Sequence, residues 1–180
     1  MILIVLIVFT GCGQNRITEK EEKKETVESE MNAEVKKTAQ TFRSVYMKEK
    51  SELNTLKVKR KIINCLEEKG YAAVDCDNQI DMVNREKVED FCKAAEKEEQ
   101  AAVDIVVVFD EGEIIQYHLE SMNGKINVRL CQVKWKDNSP QANYYDEYEA
   151  YEWKYTEKGY LFLEEYHPPG FDGAPGQTGF

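Results

Sequence analysis

Apolar positions change their spacing once along the chain, near Gln100, and the change divides the sequence into two halves. Before it, apolar residues recur at three- and four-residue intervals, the repeat of one helix face. Residues 34–50 carry Val35, Ala39, Phe42, Val45 and Tyr46 on such a stripe. Residues 56–69 carry Leu56, Lys59, Ile62, Ile63 and Leu66, and Gly70 supplies the stop, because glycine takes the left-handed conformation of a helix C-terminus without strain. Residues 84–98 carry Val88, Phe91, Cys92 and Ala95. Between the last two helices, residues 71–74 read as a short extended segment.

After Gln100 the period is two, and five strands are predicted: residues 102–109, 113–122, 125–136, 144–155 and 160–167. Asn123-Gly124 is a two-residue hairpin turn of type I′. Asp110-Glu111-Gly112 and Glu157-Lys158-Gly159 suit three-residue loops that end left-handed. Residues 137–142, with Pro140, read as the one longer loop. The turns fix register, since a one-residue slip would turn every side chain to the other face. They set Val107 opposite Ile115, Ile105 opposite Tyr117 and Val103 opposite Leu119. They also set Leu119 opposite Val128 and Tyr117 opposite Leu130, all on one buried face. Beyond Leu130-Cys131 the apolar phase moves to Val133 and Trp135, which predicts a β-bulge there. In the last hairpin Tyr151, Trp153 and Tyr155 share a face with Leu161 and Leu163. The predicted fold is α+β, with N-terminal helices packed on one face of a five-stranded antiparallel β-meander.

The ends of the chain follow different rules. Residues 1–9 read MILIVLIVF. A helix of about ten residues rises about 15 Å, half of the roughly 30 Å hydrocarbon core, so the run suits a signal-peptide core better than a membrane span. Residues 13–30 hold Ile17 and Val27 but are otherwise dominated by Glu and Lys, too polar to offset the entropy of ordering. That composition predicts a flexible spacer; a solvated extension of the first helix is the alternative, since Glu and Lys are good helix formers. The 180 residues carry a net charge of −10, with basic residues interleaved among acids. That balance argues against nucleic acid and against anionic headgroups as partners. Membrane attachment must then be hydrophobic or covalent.

Phe9-Thr10-Gly11-Cys12, at the end of the apolar run, resembles a bacterial lipobox, in which a small residue precedes a cysteine that receives a diacylglycerol. Phe9 stands where the pattern has Leu, and no Lys or Arg precedes the run. The resemblance implies cleavage before Cys12 and a membrane partner engaged through lipid on Cys12. Two acyl chains anchor stably where one is marginal. The expected organisation is a signal peptide at 1–11, a lipidated Cys12 with a charged tether over 12–33, an α+β domain over 34–167 and a Pro/Gly-rich tail or linker over 168–180. The helices-then-meander pattern loosely resembles lipoproteins of low-GC Gram-positive bacteria.

Candidate chemistry follows from register. Asp104, His118 and Arg129 fall in one cross-strand row, with Cys131 one row over. Carboxylate, imidazole and thiol could serve as orienter, base and nucleophile of a small cell-envelope hydrolase. The plainer reading is a solvent-facing row of compatible charges. Asp75-Cys76-Asp77 with Asp81 alternates carboxylates as a calcium loop does, but Ile80 stands where an EF-hand needs Gly; Glu86 meets the other requirement. An acid cluster before a helix start is the plainer reading. The fourth strand is rich in Tyr and acids, and Tyr144 and Tyr148 would stand exposed, able to meet a glycan or a basic protein partner. Besides Cys12, the cysteines Cys65, Cys76, Cys92 and Cys131 allow three pairings, and none is required. No cofactor or metal motif is present. The sequence reads as a membrane-tethered, non-enzymatic binding module; the alternatives are the hydrolase or the N-terminal module of a longer protein.

Overall fold

A computed structural model describes residues 14–77, 81–165 and 177–179, with side chains over 24–77 and 81–165. The expected leader, Cys12 and most of the 168–180 tail lie outside the described residues. The elements are α1 (Gln14–Gln40), α2 (Arg43–Lys48), α3 (Leu56–Glu68), β1 (Ala72–Asp75), α4 (Arg85–Glu96), β2 (Ala101–Val108), β3 (Ile114–Met122), β4 (Lys125–Lys136), β5 (Ser139–Tyr155), β6 (Leu161–Glu165) and β7 (Gln177–Gly179). The chain is α+β.

The charged segment that composition reads as a spacer is helical from Gln14. The first predicted helix instead breaks at Thr41-Phe42, where the Thr41 hydroxyl donates to the Thr38 carbonyl and Phe42 turns into the core. The Thr55 hydroxyl caps α3 by accepting from the Val58 N–H, and Gly70 (φ 84°) closes it, with the Tyr71 N–H donating to the Leu66 carbonyl.

The strands lie in the order β1 to β7. From β2 to β6 each pairs antiparallel with the next, and every predicted pair of the first two hairpins forms. Three features depart from the expected five-stranded meander. β1 joins β2 in parallel, with α4 as the crossover, so the sheet is mixed. β7, drawn from the expected tail, pairs antiparallel with β6. The helices cover both faces rather than one: α1 and α3 lie over Ala73, Val106, Val108, Ile114, Cys131 and Val133, and α4 lies over Val74, Ile105, Val107 and Leu119. A crossover between parallel neighbours must pack on a sheet face, and α3 already occupies the other.

Two-sided burial also explains the phase switch at Leu130-Cys131. Leu130 and Cys131 are both buried, on opposite faces, and the β3–β4 ladder runs through them unbroken. The irregularity lies instead in the β4–β5 ladder between Gln132 and Val133, where Asn143 is the extra residue. The predicted 137–142 loop is a tight hairpin: Asp137 (φ 49°) and Asn138 (φ 63°) form the turn, and β5 starts at Ser139. A second irregularity in β5, at Tyr151, leaves that ring 63% exposed, while Trp153 and Tyr155 keep the shared face with Leu161 and Leu163.

Candidate functional site

Asp104, His118 and Arg129 do lie in one row across β2, β3 and β4. His118 Nδ1 is 2.9 Å from Asp104 Oδ1, and Arg129 pairs with Glu120 at 2.7 Å. Glu120 also stands 3.5 Å from His118 Nε2. The Asp104 hydrogen bond raises the His118 pKa, and burial only partly opposes it. The row is not solvated throughout. The Gln116 amide, fully buried two residues before His118, donates to Asp104 Oδ1 and Glu34 Oε1, both at 3.3 Å. Its carbonyl accepts from the buried Thr38 hydroxyl at 2.7 Å, and Thr38 in turn lies 3.0 Å from the Tyr71 hydroxyl. Asp104 is therefore linked to α1 through Gln116. Sequence reasoning missed Gln116, whose signal was its place on the same face, opposite Cys131.

Cys131 shares that face, one row over from His118 on the neighbouring strand. Its thiol donates to Asn32 Oδ1 of α1 at 3.1 Å, and burial pushes it up to about 11. A neutral, buried thiol is a poor nucleophile. Asp104 and His118 are hydrogen-bonded to each other, whereas the Cys131 thiol is bonded to α1. The clefts described below are lined by other residues.

The acid cluster after β1 is answered by basic side chains of α3. Lys59, 1% exposed, pairs with Asp77 and, at 2.7 Å, with Asp110. Burial alone would lower its pKa, but the hydrogen bonds to Asp110 and Asp77 outweigh that and raise it. Arg60 pairs with Asp81 at 2.7 Å and lies 3.8 Å from the buried Asp75. Asp75 Oδ1 accepts from the Asp77 N–H at 3.2 Å, which orders the turn. These carboxylates neutralise lysine and arginine, which is the opposite of a cation-binding loop. Ile80, part of the calcium-loop comparison, lies outside the described residues.

The aromatic strand divides differently from its expected alternation. Tyr144 is exposed, with its hydroxyl 3.3 Å from Asp146. Tyr148 is not: it is half-buried, and its ring packs against the α4-side core. The second exposed tyrosine is Tyr151, which lies at the irregularity between Ala150 and Glu152. Tyr148, Tyr151 and Trp153 line an open cleft of about 590 Å³ with Gly124, Lys125 and Glu149. Lys125 pairs with Glu149 at 2.6 Å, and the Trp153 ring N–H donates to the Gly124 carbonyl at 3.2 Å. A second cleft, of about 560 Å³, opens between the start of α4 and the β5–β6 turn, lined by Arg85, Glu89, Tyr155 and Tyr160.

The four described cysteines are free thiols. Among the described residues, no group of His, Cys, Asp and Glu side chains is placed to hold a metal ion. No curated protein and no solved structure matches the chain. A family model does match, over residues 24–180, which takes in α1 from Lys24 onward, the other helices, the whole meander and the C-terminal segment. The chain belongs to DUF6070, a family of unknown function.

Proposed function

We propose that this protein is a non-enzymatic binding module, tethered through lipid on Cys12 to the outer face of a bacterial membrane. The observation that carries the binding part is β5. It is 17 residues long and rich in aromatic and acidic side chains; it leaves Tyr144 exposed, and Tyr151 exposed at a cleft that Tyr148 and Trp153 also line. Exposed aromatic rings rimmed by charge are a common form of contact surface. Cys131 supports the non-enzymatic part, since burial holds its thiol neutral and its hydrogen bond goes to Asn32 of α1. The address rests on Met1–Cys12 of the sequence.

Two measurements test this reading. The full chain, expressed in a bacterium fed a labelled fatty acid, is expected to carry label and to sediment with membranes, and Cys12→Ser to lose both. Label and sedimentation retained in C12S would overturn the anchor. A photo-crosslinking residue at Tyr144 or Tyr151 is expected to give discrete adducts on intact cells, and one at Lys93 on α4 none. Equal, diffuse crosslinking from all three positions would overturn the contact strand.

A further inference from the structure

The interleaving of basic and acidic residues fails over one stretch. Residues 36–61 hold nine lysines and arginines but two acids, Glu49 and Glu52, so they carry +7 in a chain whose net charge is −10. Residues 1–13, 78–80, 166–176 and 180 hold a single acidic side chain, Asp172, so the excess is not answered there.

The fold neutralises part of this charge. Lys59 and Arg60 meet the acids after β1 and in the β2–β3 turn, and Lys50 bonds to Asn138 and lies over the Tyr46 ring. Lys61 pairs with Glu49 at 2.6 Å. Arg43, Lys48 and Lys57 are exposed, and none forms an ion pair among the described residues.

These cations share one face. Val45 and Tyr46 pack inward, so Arg43, Met47 and Lys48 occupy the outer side of α2, with Arg43 and Met47 one turn apart. Lys57 lies one turn before Lys61 on α3. Glu49, which follows α2, joins the two helices through Lys61. That hydrogen bond lowers the Glu49 pKa, and the charges of Lys48 and Lys57 lower it further, which puts both lysines beside the same carboxylate. Met47 stands 43% exposed beside Arg43 and Lys48.

What this face can hold follows from magnitudes. One exposed ion pair contributes about 0–1 kcal/mol, so a partner must present several acids at once. Met47 adds an apolar contact that a chain of phosphates would leave unused, and its flexible thioether packs against many side-chain shapes. The face also stands far from Gln14: α1 runs 27 residues, about 40 Å, before α2 begins. That distance favours a partner away from the bilayer that an anchor on Cys12 would occupy.

We infer that the α2–α3 corner, Arg43, Met47, Lys48 and Lys57, receives an acidic protein segment that carries an apolar side chain among its carboxylates. Glu49, held by Lys61, leaves Lys48 and Lys57 to the partner's acids, and the apolar side chain covers Met47. This second contact goes beyond the one assigned to β5 and does not depend on it.

The test uses the full chain in non-ionic detergent and a fluorescent peptide of glutamates with leucine at every third position, read by anisotropy. Binding is expected, weakened by salt. Lys48→Glu with Lys57→Glu is expected to weaken it about tenfold or more, and Met47→Ser about threefold, while Met47→Ser leaves the binding of an all-glutamate peptide unchanged. Lys93→Glu with Lys97→Glu on α4 changes the net charge equally and is expected to leave binding within about twofold. Urea unfolding midpoints report that each variant is folded. Equal weakening by the α4 pair would overturn the face in favour of net charge. Binding indifferent to Met47→Ser would overturn the protein segment in favour of a general anion surface. A photo-crosslinking residue at Met47, in the full chain reconstituted into anionic-lipid vesicles, is expected to form no lipid adduct. Lipid adducts that disappear in the Lys48–Lys57 variant would assign the face to the bilayer instead. Salt-sensitive dimers in sedimentation, lost in that variant, would assign it to a second copy of this chain. No binding of the glutamate–leucine peptide at low salt would sink the inference and leave the β5 contact standing.

Discussion

His118 Nδ1 lies 2.9 Å from Asp104 Oδ1, and Gln116 fastens the same Asp104 oxygen to α1. The pair therefore couples a titrating group to helix packing. The folded imidazole's pKa is raised above its unfolded value near 6.5, chiefly by the Asp104 hydrogen bond. The added stability is fully present below the unfolded value and is lost as pH rises through the folded one. Denaturant midpoints measured on either side of neutrality should fall with rising pH in the native chain, and His118→Gln should flatten the fall. A slope unchanged in H118Q would show that other groups carry it.

Gln116 and Thr38 make the sharper stability test of the same region. Both are fully buried, and the Thr38 hydroxyl donates to the Gln116 carbonyl at 2.7 Å. Thr38→Val keeps the shape but leaves that carbonyl unpaired, at a cost of about 1–3 kcal/mol. Thr38→Ser, which keeps the donor, should lose much less. Equal losses for the two, measured by urea unfolding, would assign the effect to packing.

The hairpins were legible because their turns are chemically specific. Asn123-Gly124 and the loops ending at Gly112 and Gly159 set the register, and Asp104, His118 and Arg129 followed from it into one row. The rest was hidden for physical reasons. β1 has four residues, all buried, so it shows no alternation, and nothing in Ala72–Asp75 announces a parallel partner. Two-sided burial looks like a phase error in a single strand, which is why Leu130-Cys131 reads as a bulge. Asp137-Asn138 adopts the same positive φ pair as a glycine turn without a glycine. Cys131 was put on the right face, but only α1, arriving from 99 residues away in sequence, decides that its partner is Asn32. Tyr148 reads as exposed until β5's irregularities are known.

Lys59 should tolerate the loss of its charge better than the loss of its partners. Its side chain is 1% exposed, whereas Asp77 and Asp110 are 71% and 64% exposed. Lys59→Met leaves two carboxylates that water can solvate, and replaces a buried ion by an apolar chain of similar length. Such exchanges are often neutral or stabilising. Asp77→Ala with Asp110→Ala instead strands a buried ammonium and should cost about 3–5 kcal/mol. Urea unfolding of the three proteins checks the order, and a K59M variant less stable than the double alanine variant would reverse it.

Thiol reactivity should follow burial. Burial pushes Cys92 up to about 12 and Cys131 up to about 11, and both are fully buried, whereas Cys65 and Cys76 are partly exposed. Alkylation at neutral pH, read by mass spectrometry, should modify Cys65 and Cys76 first and reach Cys92 and Cys131 on unfolding. Rapid native-state modification of Cys131 would reopen a nucleophilic role beside His118.

Gly112 is held between backbone and aromatic demands. It sits at φ 73°, and a Cβ there would lie 2.9 Å from Tyr46 Cδ2. Tyr46 cannot retreat freely, because it stacks on Trp135 at 3.9 Å between ring centroids and 11° between planes. Trp135 is fixed in turn by its ring N–H, which donates to the Gly112 carbonyl at 2.9 Å. Gly112→Ala therefore combines left-handed strain with displacement of a stacked pair, and should cost about 2–4 kcal/mol. Gly159→Ala separates the two effects. It carries φ 86°, but the nearest atom to its Cβ is the Tyr155 hydroxyl at 3.5 Å, so strain alone should cost about 1–2 kcal/mol. Near-ultraviolet circular dichroism should change in G112A and stay close to native in G159A. Equal destabilisation with an unchanged aromatic signal in both would show that the Tyr46–Trp135 stack yields without cost, and that the backbone alone selects glycine at position 112.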